Sequence, residues 1–299
     1  MKVFVTGATG FVGTAVVQEL LTNGHQVLGL ARSEESAKKL IDAGAEAHHG
    51  DLNDFDSLKL GAEASDAVIH LGFVHDFARF AEMCELDGKV IHSIGEALMG
   101  TEKPFLITSG TALFSRDGIT TEKEISVNNP HPRIATENAA DSVAANGVKV
   151  AVIRLSPSVH GKGDRIGFVP TLINIAKQTG KSAIIGDGNN VWPAVHRLDA
   201  ATLYRLALEK PFESGTRYHA VGEQGIPFKD IAGFIAERLE VPVVSLTNDE
   251  AEEHFGWFAH FASLNNLTSS EETKATLGWN PRQPTLLEDL RSNVYFSEQ

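Results

Sequence analysis

Thr6-Gly7-Ala8-Thr9-Gly10-Phe11-Val12-Gly13 decides how the chain folds. It follows the β-rich run Lys2–Val5 and opens a stretch whose apolar residues fall at helical spacing: Val12, Val16, Val17, Leu20 and Leu21. That stretch stops at Asn23-Gly24, a pair that ends helices. Three glycines at three-residue spacing between a strand and a helix have a defined physical use. The first permits a tight turn, the second lets the backbone approach a ligand, and the third lets helix pack on strand. Free N–H groups and the helix dipole then face a pyrophosphate. Gly7, Thr9, Gly10, Phe11, Val12 and Gly13 are therefore expected to cradle a dinucleotide.

Outward from this turn the pattern repeats. Gln26–Ala31, Glu46–His49, Asp66–Leu71, Pro104–Ser109 and Val148–Leu155 read as strands. Glu34–Ala43, Phe77–Met99 and Pro132–Asn146 read as the intervening helices. Strands alternating with helices imply right-handed βαβ crossovers. The expected class is α/β, a doubly wound parallel sheet (Rossmann) with a smaller, partly helical C-terminal substrate lobe. The expected division is a core at 1–160 and a mixed lobe at 161–299, some of whose segments return to the core. Helices are expected in that part at Val169–Thr179, Asp199–Leu208 and Pro227–Leu239, with an acidic one near Asn248–Phe261.

Composition narrows the function. The 299 residues carry a net charge of −13, which argues against a nucleic-acid surface. The single Cys84 excludes a disulfide framework or Cys-rich zinc centre, and the histidines lack metal-ligand spacing, so no metal is expected. No apolar run reaches the roughly 18 residues of a membrane span, and folded-looking sequence begins at Lys2. The expectation is a cytoplasmic protein, monomer or homodimer, acting on a small molecule.

The end of the second strand chooses between dinucleotides. An NAD site places Asp or Glu there for the ribose hydroxyls, whereas this chain reads Leu30-Ala31-Arg32-Ser33. Arg32 can fork onto a 2′-phosphate and Ser33 can add a hydroxyl, which favours NADP over NAD. Asp51 and Leu52 can border the adenine, and Asp51 can equally cap a helix.

With His70-Leu71-Gly72, Ser109-Gly110-Thr111 and Arg154–Gly161, these residues resemble an extended short-chain dehydrogenase/reductase of the NAD-dependent epimerase/dehydratase superfamily. Gly186-Asp187-Gly188, His196-Arg197-Leu198-Asp199 and Leu277–Pro281 continue the likeness over nearly the whole chain. The resemblance implies a cofactor also touching Leu71, Gly72, Ser109, Pro157, Ser158 and Val159. It implies, too, a Tyr-x-x-x-Lys pair on the helix before strand six, which is missing. The tyrosines are Tyr204, Tyr218 and Tyr295, and none has Lys four residues later. Arg133 takes the Tyr position and Glu137 the Lys position. Four apart on a helix, they can form a surface ion pair, or Arg133 can bind the substrate oxygen while Glu137 positions it.

A reduced carbonyl needs hydrogen bonds and a proton at oxygen. Ser109 and Thr111 can donate them, or can cap the loop. His75 titrates in the right range, and His131 and His160 lie on segments bordering the cleft. Phe168, Trp192, Phe255, Trp257, Phe258 and Phe261 read first as core of the smaller lobe, then as an apolar pocket. The chain therefore reads as an NADP(H)-dependent oxidoreductase of a small carbonyl or alcohol, with catalytic candidates Thr111, Ser109, Arg133 and His75. A cofactor-retaining epimerase or dehydratase and a silent NADP-binding sensor or scaffold are the alternatives.

Overall fold

The computed structural model describes residues 1–115, 118–125 and 129–296. The first half alternates as expected: β1 (Lys2–Thr6), α1 (Phe11–Thr22), β2 (Gln26–Ala31), α2 (Glu34–Asp42), β3 (Glu46–His49), α3 (Phe55–Glu63), β4 (Ala67–His70), α4 (Phe80–Leu98), β5 (Phe105–Gly110), α5 (Ile134–Ala145) and β6 (Val150–Leu155). Helix α3, unread in the sequence, is capped by Asp54, whose carboxylate accepts from the Ser57 N–H. Asp51 is not that cap. Its Oδ1 accepts from the Asn53 N–H in the preceding turn, at 2.6 Å.

Beyond residue 157 come β7 (Ser158–His160), α6 (Phe168–Thr179), β8 (Ser182–Ile185), β9 (Val191–His196), α7 (Arg197–Glu209), β10 (Thr216–Ala220), β11 (Glu223–Pro227), α8 (Phe228–Leu239) and β12 (Val243–Leu246). The chain continues through α9 (Asn248–Phe255), α10 (Ala259–Ala262), α11 (Glu271–Leu277) and α12 (Leu286–Arg291). The acidic helix expected to run to Phe261 breaks at Gly256, whose φ of 54° favours glycine.

The main sheet has seven parallel strands in the order β10-β6-β5-β4-β1-β2-β3. Apolar residues of α1, α2 and α7 close one face, those of α3, α4 and α5 the other. Strand β10 and helix α7 thus belong to the sheet and its cover although they come late in the chain. Strand order reverses between β1 and β4, the crevice where α/β sheets bind ligands.

A second apolar cluster lies under the β11-β9-β7 sheet and the β12-β8 pair. Phe168, Trp192, Phe255, Phe258 and Phe261 pack in it, so these aromatics are core, while Trp257 is exposed. Among the described residues no helix is long and apolar enough to cross a membrane, and no cluster of three or more His, Cys, Asp or Glu could hold a metal ion.

Candidate active site

The glycine turn has the shape its sequence requires. Gly7 sits at φ +65°, and a Cβ there would lie 2.8 Å from the Gly72 nitrogen at the end of β4. A Cβ on Gly13 would lie 2.0 Å from the Gly7 carbonyl oxygen. The first glycine closes the crevice and the third seats α1 against the turn. Gly10 caps α1 with no side-chain bond, and the first turn holds no acidic residue. An anion therefore meets free N–H groups and no competing carboxylate. The cradle fits a dinucleotide pyrophosphate. Thr9, Phe11 and Val12 are half-buried around it, Leu71 and Gly72 flank it from β4, and Leu52 packs on Gly72.

One cation at this turn is invisible in the local sequence. Arg197, the first residue of α7, stacks over the Phe11 ring at 4.7 Å and donates to Thr14 Oγ1 at 2.7 Å. Arg32, by contrast, is exposed at the end of β2 and makes no ion pair among the described residues. Ser33 beside it caps α2, its Oγ accepting from the Ser36 N–H. Pro157 follows the end of β6 by two residues, and Ser158 and Val159 open β7.

Arg133 and Glu137 do not pair with each other. Each is drawn to a buried long-range partner, which outweighs a local i,i+4 contact worth a few tenths of a kcal/mol. Arg133 donates to Asp87 Oδ2 at 2.7 Å and to the Thr108 carbonyl at 3.2 Å, and it lies 3.9 Å over the Phe73 ring. Glu137 accepts two bonds from Arg154, at 2.9 and 3.0 Å. Arg154 is fully buried and stacks on Phe114. Burial raises the Glu137 carboxyl, but the Arg154 hydrogen bonds and charge hold it below the usual range.

Asp87 is the centre of a buried chain that sequence reading missed. It accepts from Thr136 Oγ1 at 2.5 Å and contacts His70 Nε2 at 3.0 Å. Burial opposes its charge, yet Arg133, His70 and Thr136 together hold its pKa below the ordinary value. An ionised carboxylate only accepts, so His70 donates from Nε2, and its Nδ1 is hydrogen-bonded to Thr6 Oγ1 at 2.6 Å. Thr6 Oγ1 in turn accepts from the Gly72 N–H at 3.0 Å. A continuous hydrogen-bonded path thus joins the residue before Gly7 to Arg133. A sequence signal existed: Asp87 lies on the buried stripe of α4 with Cys84, Gly88 and Ile91, where a lone carboxylate needs a partner.

The remaining candidates separate. Thr111 is fully buried and donates to Asn266 Oδ1 at 2.8 Å, while Asn266 Nδ2 donates to the Thr111 carbonyl. Ser109 is buried beside the Glu137 carboxylate. His75 stands edge-on to Phe73, and burial, with the Arg133 charge, keeps it below the usual imidazole range. His131 packs edge-on to Phe80 and faces His260. His160 is held by Asp289 at 2.7 Å on the smaller lobe.

A sequence model of the NAD dependent epimerase/dehydratase family matches residues 3–221. An uncharacterized protein of Schizosaccharomyces pombe is 51% identical over 297 residues, covering 99% of this chain and all of that one. The 2-alkyl-3-oxoalkanoate reductase of Stenotrophomonas maltophilia is 28% identical over 261 residues, covering 82% and 77%. The dTDP-glucose 4,6-dehydratase of Streptomyces venezuelae, solved with NAD bound, superposes with a TM-score of 0.77 at 19% identity, covering 99% and 97%. The cradle, the strand order and the family match together show that this chain belongs to the NAD-dependent epimerase/dehydratase family.

Proposed function

We propose that the protein is an NADP(H)-dependent oxidoreductase interconverting a small carbonyl compound and its alcohol, with Arg133 where the family resemblance leads one to expect tyrosine. The observation that carries this reading is the placement of Arg133. Its side chain is only 15% exposed, fixed by Asp87 and Thr108, and tied through His70 and Thr6 to the glycine cradle. A bound NADP(H) supplies or accepts hydride at its nicotinamide. Gly7–Gly13 hold its pyrophosphate with Arg197 alongside, Arg32 meets the 2′-phosphate, and Asp51 and Leu52 border the adenine. Leu71, Gly72 and Pro157–Val159 wall the ring.

Arg133 directs N–H groups at the substrate oxygen, with His75 at the rim. Ser109 and Thr111 shape the strand end from behind, since both are enclosed. The substrate is a small molecule, and the chain works in the cytoplasm as monomer or homodimer. The silent sensor is the second reading, favoured by the enclosure of Glu137 under Arg154, where it reaches no ribose.

Calorimetric titration of NADPH and NADH into wild type and Arg32→Ala tests the proposal. At least a tenfold preference for NADPH is expected, falling toward parity in the variant. Equal affinities in the wild type overturn the NADP assignment. No binding of either dinucleotide by folded protein overturns the oxidoreductase.

A further inference from the structure

We propose that His131 is a catalytic residue, its neutral imidazole donating from Nε2 to the reacting oxygen of a small aldehyde or ketone. This deepens the oxidoreductase reading and rests on it. Reduction adds a hydride to the carbonyl carbon, supplied by the dinucleotide, and a proton to the oxygen, supplied by solvent water. Between the two additions the π electron pair sits on oxygen as negative charge, and fixed hydrogen-bond donors stabilise it.

Two residues ahead of Arg133 the structure holds such a donor. The Arg133 backbone N–H donates to His131 Nδ1 at 3.2 Å. A ring nitrogen that accepts carries no proton, so the neutral ring bears its hydrogen on Nε2. That nitrogen forms no hydrogen bond to any described residue, on a side chain that is half-exposed. The ring is fixed by edge-on packing against Phe80, with centroids 5.8 Å apart. The backbone beneath it is fixed by its own N–H donating to Asn129 Oδ1, while Asn129 Nδ2 donates to the Leu113 carbonyl.

The charged and titratable groups around this ring agree on its state. Burial, then His260 of α10 and Arg133 on the same segment, disfavour an imidazolium, Asp87 of α4 is already taken by Arg133, and His75 feels the same guanidinium charge. Together these hold His131 below the usual imidazole range. Protonation would also break the Arg133 N–H bond. The donor form therefore persists through neutral pH.

The test pairs spectroscopy with kinetics on the full chain. Nitrogen NMR of ¹⁵N-histidine-labelled protein should show one ring, absent in His131→Gln, protonated at Nε2 and accepting at Nδ1 across neutral pH. With NADP⁺ present, isobutyramide as a carbonyl mimic should shift that Nε2 signal. With NADPH and a panel of short aldehydes, His131→Phe should lose about 10²–10³ in kcat/KM, mainly in kcat. His131→Gln, which keeps an N–H donor, should recover part of this, and NADPH affinity should stay within about twofold in both. Turnover retained by His131→Phe, or a ring protonated at Nδ1, overturns the role of His131 alone. Wild type that binds no NADPH overturns the function on which it rests.

Discussion

Asp87→Ala would test whether the buried chain holds Arg133 in place. The substitution removes the acceptor for three donors: Arg133 at 2.7 Å, Thr136 at 2.5 Å and His70 at 3.0 Å. The Asp87 side chain is 2% exposed and that of Arg133 15%, so solvent cannot replace the lost contacts. Breaking one side of a buried pair costs about 3–5 kcal/mol. The lower end applies here because the Arg133 tip is near the surface. Of a total stability of roughly 5–15 kcal/mol, this is a large share.

Urea unfolding followed by far-UV circular dichroism measures the cost at pH 7 and again through the acid range. The folded-state pKa of Asp87 lies below its ordinary value. Its contribution is therefore complete above about pH 3.9 and is lost as pH falls through the lower folded value. The gap between wild type and Asp87→Ala should be flat from pH 7 to 5 and close below pH 4. Asp87→Asn, which keeps one acceptor oxygen, should cost about 1–3 kcal/mol. A cost under about 1 kcal/mol for Asp87→Ala, or a gap that widens in acid, would refute the reasoning.

Gly13→Ala places a methyl 2.0 Å from the Gly7 carbonyl, so the turn must open. Loss of dinucleotide binding by calorimetry is expected, with a melting temperature several degrees lower; retained affinity would show that the cradle tolerates the shift. Burial pushes Asp164 up to about 6, against bonds from the Gly167 N–H and the Tyr295 hydroxyl. A raised acid pKa favours the folded state at low pH, and that advantage is lost as pH rises from about 4 to about 6. Asp164→Asn should therefore gain on wild type across that interval, by about 3 kcal/mol in urea unfolding. A pH-independent difference would exclude this titration.

Local patterns carried most of the fold because their physics is local. Helical spacing, strand runs and glycine turns placed β1–β6 and α1, α2, α5, α6, α7 and α8 to within two residues, including β3 and the cradle, while α3, α10–α12 and β7–β12 went unread. The core strands were legible because a parallel sheet covered on both faces needs apolar runs. Strand β10, Thr216–Ala220, was not: Thr-Arg-Tyr-His-Ala shows no such run. It becomes a strand through pairing with β6, and its His219 and Arg217 face protein partners rather than water.

The site divides the same way. Sequence determined that a phosphate cradle follows β1, that no carboxylate ends β2, and that no Tyr-x-x-x-Lys pair exists. Those facts depend on residue types at fixed short spacing. Which residues take over depends on contacts between distant segments. Arg133 meets Asp87 across 46 residues, Glu137 meets Arg154 across 17, Thr111 meets Asn266 across 155, and Arg197 meets Thr14 across 183. Buried charge seeks the nearest opposite charge in space, and only the tertiary structure decides which residue that is.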